Sequence, residues 1–350
     1  MARTRVGVVG CGGVSEGAYL PNLAASAAVQ VEAVCDVDPE RARRAAQRHG
    51  VARAFTDVDA MLARADFELL VNLTPMPLHA PINRKGLRAG RHVWCEKPIA
   101  TSLADGAALL EEAERRGLGL YGAPNCVLSP TFRAAAKVVG GGEIGKVCAA
   151  RAKYGHGGPH AEWFYKAGGG ALFDLGVYNV TTLTGLLGPA RGVVALSGVA
   201  RPRRTVAGAE ITVEADDNTM LLLDFGDARF GSIMTGFVYP PEHDRRATIE
   251  LLGTGGAVSW LGHDFAPRGI EVSRAGATGW ETRATDQEGY HWSCGASYVA
   301  ECLASGTRPA MTGPHAYHVL EVMLAALDAA RTARYVPVRS SFPWPVYGEA

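Results

Sequence analysis

The first 124 residues alternate between two hydrophobic patterns, and this alternation constrains the fold more than any other feature of the chain. Short apolar runs at 6–10 (VGVVG), 31–36 (VEAVCD), 68–74 (ELLVNLT), 91–98 (RHVWCEKP) and 118–124 (LGLYGAP) have the length of buried strands. Helical stretches lie between them. DPERARRAAQRHG (38–50) has a Pro near its start and a Gly after its end, and SLADGAALLEEAERRG (102–117) closes on Gly117. Continuous apolar strands separated by helices predict a parallel sheet with helices on both faces.

The pattern changes near residue 124. A helix near 130–139 and a strand over 146–155 lead to a glycine run at 168–170 that opens another helix. From about 191 to 275 the sequence is β-rich with turn signals, in VVALSGVA, EITVEADDNTMLLLDFGDARFGSIMTGFVYP and RATIELLGTGGAVSW, which fits an antiparallel sheet. Helices over about 293–304 and 313–333 close the chain. At 350 residues the chain exceeds what one core usually organises, so two domains are expected, 1–124 and 125–350.

Composition removes several function classes. Lys plus Arg and Asp plus Glu both total 35, a balance that argues against a nucleic-acid groove or a polybasic membrane face. No apolar run approaches a membrane span, and no targeting segment is visible. Seven cysteines, at 11, 35, 95, 126, 148, 294 and 302, are odd in number and form no CxxC pair. That fits reduced thiols in a cytoplasmic protein.

GVVGCGGVSE carries Gly10-x-Gly12-x-x-Ser15, after the first strand and at the opening of a helix. A second strand then ends in Asp36. Glycines let the backbone approach a pyrophosphate, and a helix amino terminus offers N–H groups and positive potential. Ser15 stands where Gly or Ala is usual and is still small enough for close packing. Asp36 is placed to bond adenine ribose hydroxyls and would repel a 2′-phosphate. NAD is therefore preferred, with NADP left open by Arg41, Arg43 and Arg44.

GGGALFDLGVYN (168–179) places an acid and a phenol in an apolar helix. Asp174 and Tyr178 are four residues apart, a spacing that puts them on one face.

Glu96-Lys97-Pro98 at a strand end, after NLTPMPLH with its Thr74, Pro75 and His79, completes a set with the GCGG turn, Asp36 and GGGALFDLG. The set resembles the Gfo/Idh/MocA oxidoreductases, the family of glucose–fructose oxidoreductase and inositol 2-dehydrogenase. Beyond about residue 200 the likeness is one of layout. The resemblance implies a fold of α/β class: a Rossmann domain, then an α/β domain with a large, mostly antiparallel open sheet that joins homodimers or homotetramers. It implies hydride transfer between a nicotinamide and a carbinol or carbonyl carbon of a sugar, cyclitol or keto-sugar. It places Gly10, Gly12, Gly13, Val14, Asp36, Thr74, Pro75, His79, Glu96 and Lys97 around the cofactor, and Asn125, at the domain junction, is a further candidate for the nicotinamide side. The Lys-Pro bond is often cis in the family, which would aim Lys97 into the cleft.

Many members carry Asp-x-x-x-His where this chain reads Asp174-x-x-x-Tyr178; a similar tyrosine occurs in one branch. The resemblance assigns catalysis to Lys97, Tyr178 and Asp174. Removing hydride from a carbinol requires a group to take the hydroxyl proton, and a phenol within reach of a cation can serve. Lys97 is that cation and a hydrogen-bond donor to the substrate oxygen. Asp174 orients Lys97 or a substrate hydroxyl.

Other residues are weaker candidates for substrate contact. His156, His160 and Trp163 lie in YGHGGPHAEWFYKAGGG, a loop suited to cover a sugar, and His291 precedes the penultimate helix. His156 and His160 have no acidic or Cys partner at a zinc-site spacing, so no metal is expected. Three other readings share the motifs: a dinucleotide-holding sensor without turnover, an NAD-dependent glycosidase, and an oxidoreductase whose cofactor does not exchange.

Overall fold

A computed structural model of the chain describes residues 3–239, 248–284, 286–287 and 289–347. The ends of two β-like runs, Pro240 and residues 246–247, lie outside them. The chain divides into two compact units, Met1–Asn125 with Trp292–Leu320, and Cys126–His291 with Glu321–Ala350.

The first unit holds a six-stranded parallel sheet. Its strands are β1 (Thr4–Val9), β2 (Val29–Cys35), β3 (Arg53–Phe55), β4 (Leu69–Asn72), β5 (His92–Cys95) and β6 (Leu120–Gly122), in the order β3-β2-β1-β4-β5-β6. The order reverses between β1 and β4, the switch point at which ligands bind in open α/β sheets. A turn of π-helix (Ser15–Tyr19) leads into α1 (Leu20–Ala25), followed by α2 (Pro39–His49), α3 (Val58–Arg64), α4 (His79–Arg88) and α5 (Leu103–Arg115).

Caps explain where the helices start. Asp38 accepts the Glu40 N–H at 2.9 Å ahead of Pro39, and Asp57 accepts the Ala60 N–H at 2.8 Å. Ser102 and Asp105 cap α5, the serine oxygen accepting the Asp105 N–H at 3.1 Å and its hydroxyl donating to the Asp105 carboxylate at 2.8 Å.

The second unit opens with α6 (Pro130–Gly140), capped by Ser129. Next come β7 (Val147–Gly155) and a π-helical turn (Leu172–Gly176) that runs into α7 (Val177–Leu187). Strands β8 (Gly192–Gly198), β9 (Arg203–Val206), β10 (Ala209–Thr212), β11 (Asn218–Asp224), β12 (Phe230–Gly236), β13 (Ile249–Gly253), β14 (Gly256–Gly262), β15 (Pro267–Arg274), β16 (Glu281–Ala284) and β17 (Val336–Pro337) follow. Strands β9 and β10 form a separate hairpin. The others join β7 in a sheet of order β16-β15-β14-β13-β7-β12-β11-β8-β17. Every pairing in it is antiparallel except β7 with β12.

One face of this sheet is covered by the α7 layer, where Leu221, Leu223 and Ile233 are buried. Gly185 lets α7 approach α6, since a Cβ there would lie 3.0 Å from Phe132. Residues on the other face are open: Leu196 is 76%, Met220 55% and Leu222 54% exposed.

Helix α8 (Gly295–Ser305) and the start of α9 (Gly313–Thr332) belong to the first unit. There Thr4 donates its hydroxyl to the Ala300 carbonyl at 2.8 Å, and Gly295 leaves room for the Trp94 ring. Among the described residues no helix is long and apolar enough to cross a membrane.

Candidate active site

In the first unit every cofactor candidate follows the carboxyl end of a strand. Gly10 closes β1 at φ +93°, and a Cβ there would meet the Leu73 carbonyl oxygen at 2.7 Å, so both its conformation and its contact with the β4 end exclude a side chain. Its N–H donates to the Cys35 carbonyl at 2.8 Å, which ties the glycine turn to β2. Asp36 follows β2 and is nearly buried. One carboxylate oxygen accepts the Cys11 N–H at 2.8 Å and the other accepts the Asp38 N–H at 2.9 Å. Val14 is exposed at the start of the π turn, and Val37, beside Asp36, is 87% exposed.

A buried polar network shapes the next turn. Asn72 ends β4 fully buried, and its oxygen accepts from the Thr74 N–H and, at 2.7 Å, from the Thr74 hydroxyl. Its amide donates to Asn83 at 2.9 Å and to the His79 carbonyl at 3.2 Å. His79 is buried between two backbone carbonyls, Thr74 O at 2.7 Å from Nε2 and Pro98 O at 2.6 Å from Nδ1. Burial pushes its pKa down, against the pull of both carbonyls. The imidazole thus joins the Thr74-Pro75 turn to the Lys97-Pro98 turn, whose peptide bond is cis.

Glu96 links this turn to the glycine loop. Its Oε1 accepts the Tyr19 hydroxyl at 2.5 Å and its Oε2 the Lys97 N–H at 3.0 Å. Tyr19 is wholly buried in the π turn, with Trp292 edge-on at 6.2 Å. Asn125, buried after β6, donates its amide to the Cys294 sulfur at 3.1 Å, and Asn22 reaches Ser293. The segment 292–294 therefore lines this half of the molecule. Nothing in its local sequence pairs it with the amino-terminal sheet.

In the second unit, Asp174 and Tyr178 are the only residues from Ala171 to Gly188 that are not buried. The four-residue spacing does put them on one face, although Asp174 lies in a π turn rather than an α turn. Such turns recur at functional sites. The helix start is organised from a distance by Asp216. Its carboxylate accepts the Leu172 N–H at 3.0 Å and the Thr219 hydroxyl at 2.9 Å, and its carbonyl accepts the Ala171 N–H at 2.8 Å. Burial raises the Asp216 pKa. Gly170, at φ +105°, makes this possible, because a Cβ there would fall 2.0 Å from Asp216 Oδ1.

The loop ahead of this helix is held by Arg204, in a buried pair with Asp217 at 3.1 Å. The guanidinium also donates to the Gly157 carbonyl at 2.9 Å and the Phe237 carbonyl at 2.7 Å, and lies over the Tyr165 ring. Of the loop candidates, His156 stacks on Phe237 at 5.8 Å and accepts the Gly158 N–H on Nδ1 at 3.0 Å. Trp163 is 42% exposed and stacks on Phe164. His160 and His291 are exposed.

Tyr178 lies in a cluster with three rings that were not among the candidate residues. Tyr154 is edge-on at 6.0 Å, Phe265 lies at 5.7 Å, and His263 packs on both of them at 5.2 and 5.8 Å. Asp264, between His263 and Phe265, is buried and accepts the Asn179 amide at 2.8 Å, and burial pushes its pKa up to about 7. Among the described residues no group of three or more His, Cys, Asp or Glu is arranged to hold a metal ion.

The family model described as GFO_IDH_MocA, an oxidoreductase family with an NAD-binding Rossmann fold, matches residues 4–121, and that of the GFO/IDH/MocA C-terminal domain matches residues 132–259. A curated relative, dTDP-3,4-didehydro-2,6-dideoxy-alpha-D-glucose 3-reductase of Streptomyces violaceoruber, is 34% identical over 266 residues, 75% of this chain and 74% of its own.

This chain belongs to the Gfo/Idh/MocA oxidoreductases.

Trans-1,2-dihydrobenzene-1,2-diol dehydrogenase of Macaca fuscata fuscata is 28% identical to this Gfo/Idh/MocA chain, over 69% of the chain and 70% of its own length. Among solved structures, levoglucosan dehydrogenase in complex with NADH and levoglucosan superposes with a TM-score of 0.86 at 22% identity, covering 96% of this chain and 99% of its own. Aldose-aldose oxidoreductase from Caulobacter crescentus gives 0.84 at 22% identity, with the same coverage. At these identities the two structures establish the shared fold.

The family's dinucleotide fits the residues of the first unit. A Cβ built on Gly12 or Gly13 meets nothing within 4 Å, so protein packing does not require glycine at either position; they keep space open above the loop. Ser15, at the start of the π turn, is buried, and its hydroxyl has no hydrogen-bond partner among the described residues. A pyrophosphate over this loop uses both features.

Proposed function

We propose that this chain is an NAD-dependent dehydrogenase or reductase that interconverts a carbinol and a carbonyl carbon of a sugar, cyclitol or keto-sugar. The observation that carries the proposal is the α7 segment. An otherwise buried helix leaves one acid and one phenol half-buried on the same face, at the positions of the Asp-x-x-x-His pair of many members of the family it resembles. The names of the relatives, a deoxysugar 3-reductase and a diol dehydrogenase, both describe chemistry at a ring carbon bearing oxygen.

In this reading Gly10, Gly12, Gly13 and Val14 receive the pyrophosphate. Asp36, with one further lone pair on each oxygen, receives the ribose hydroxyls. Thr74, Pro75, His79, Glu96 and Asn125 build the turns beside the nicotinamide. When bound, the nicotinamide supplies the hydride acceptor or donor. Lys97 holds the substrate oxygen and stabilises charge that develops on it. Tyr178 takes or gives the hydroxyl proton at its phenol oxygen. Asp174 orients Lys97 or a neighbouring hydroxyl. His156, His160, Trp163 and His291 remain candidates for the substrate's outer contacts.

NAD is favoured over NADP by local charge. Asp36 would face a 2′-phosphate, Val37 beside it has no charge, and Arg41 is paired with Asp38 at 3.3 Å. The open face of the large sheet, with Leu196, Met220 and Leu222, supports a homodimer or homotetramer joined through it.

Absorbance at 340 nm tests the reading. NAD and NADP are offered with aldoses, inositols and deoxysugars, and NADH with keto-sugars. Turnover of one class with NAD, reduced at least a hundredfold in Tyr178→Phe and in Lys97→Ala, is the expected result. Full activity in either variant refutes the assignment.

A further inference from the structure

Large rings in the core of this unit are fully covered: Phe237 is 0% and Trp260 1% exposed. Tyr154, Tyr178, His263 and Phe265 differ. All four are only half-buried, and they sit on one another at centroid distances between 5.2 and 6.0 Å. Aromatic rings grouped around a phenol and left partly open form the kind of surface that a ligand completes.

The wall is built to hold its position. The Gly262 carbonyl accepts the Thr248 hydroxyl at 2.6 Å. Two residues further on, Asp264 accepts the amide of Asn179, the residue after Tyr178, at 2.8 Å. The segment that carries His263 and Phe265 is therefore pinned to the helix that carries the phenol. Tyr154 comes from β7, on the face of the sheet that α7 covers.

The chemistry of this wall selects its ligand. Tyr154 and His263 carry polar atoms, but Phe265 between them and Tyr178 has none, so a hydroxyl pressed against its ring loses water and gains no partner. A C–H-bearing ring face loses nothing there and gains contact with the ring. We propose that Tyr154, His263 and Phe265 are specificity-determining residues, and that the substrate is a cyclic alcohol or ketone with a C–H-rich ring face beside its reacting carbon. This rests on Tyr178 as the proton-handling residue.

The test compares trans-cyclohexane-1,2-diol with myo-inositol, two six-carbon rings that differ in how many carbons carry hydroxyls. Rates are read at 340 nm with saturating NAD, and binding of each compound to the NAD-loaded protein is read by titration calorimetry. The expected result is binding and turnover of the diol with kcat/KM about tenfold or more above inositol. Phe265→Ala and Tyr154→Leu collapse that ratio toward one, and Phe265→Leu restores most of it. An unchanged ratio in both truncations overturns the proposal, as does preference for inositol or failure of the wild-type protein to bind the diol. Tyr178→Phe separates the two readings. Loss of turnover with diol binding retained supports both, whereas retained turnover refutes the catalytic assignment and leaves the ratio test standing.

Discussion

Replacing Asp264 with asparagine should shift relative stability toward the variant as pH rises. The carboxyl is 1% exposed, and the interior raises its pKa from 3.8 to about 7. Its Oδ2 accepts from the Asn179 amide, and the Thr182 hydroxyl and the Asp264 and Phe265 backbone N–H groups favour the ionised form only in part, so burial prevails. The folded chain therefore holds the proton more tightly than the unfolded chain does. The residue's contribution is intact below the ordinary carboxyl range and is lost as pH rises through about 7. At 1.36 kcal/mol per unit, the full penalty above that pH is roughly 4 kcal/mol. Between about pH 5 and about pH 8 the change is roughly 2–3 kcal/mol. Asparagine carries no charge to desolvate, so the variant's stability lacks this pH dependence, although its NH2 group cannot accept from the donors that the carboxylate meets. Urea unfolding of both proteins at the two pH values should show the stability difference moving in the variant's favour by that amount at the higher pH. A difference that stays constant, or that moves in favour of the wild type as pH rises, refutes the reasoning.

Other substitutions separate packing from binding. Gly12→Ala should leave the melting temperature without cofactor within about 2 °C of wild type, since the new methyl meets nothing. NAD affinity, read by quenching of protein fluorescence, should fall about tenfold or more because the methyl occupies the space of the pyrophosphate. Gly170→Ala should behave in the opposite way and lower stability by about 1–3 kcal/mol, because it strains a backbone at φ +105° and strikes the Asp216 carboxylate; chemical denaturation measures it. Leu222→Glu, on the open sheet face, tests the proposed oligomer: sedimentation velocity should show the wild type larger than the variant, with the far-ultraviolet dichroism unchanged.

Much of the first unit was legible because its signals are local. Apolar runs became β1, β2, β4, β5 and β6, and Pro39, Gly50 and Ser102 act at the helix ends where their chemistry predicts. Helix α4 was not legible. It contains a proline and a glycine, residues that usually break helices, but Pro81 falls in the first turn, where no N–H is needed. Gly86 is there so that the helix can lie against Leu70, whose Cδ2 would be 2.6 Å from a Cβ. The short strand β3 and helix α3 carry too few residues to show a period.

The sequence by itself determined the alternation that makes a parallel sheet, the glycine turn followed by an acid after the second strand, and the four-residue interval between Asp174 and Tyr178. Each of these is a relation between residues close in the chain, where backbone geometry alone sets which side chains meet. Only the tertiary structure decided the parallel pairing of β7 with β12, the return of 292–320 to the amino-terminal unit, and the cap that Asp216 places on a helix start more than forty positions earlier. It also decided the wall around Tyr178, for Phe265 lies 87 positions beyond the phenol it touches. No periodicity spans such separations. They are set by which buried faces and unpaired backbone groups satisfy one another once the chain is compact.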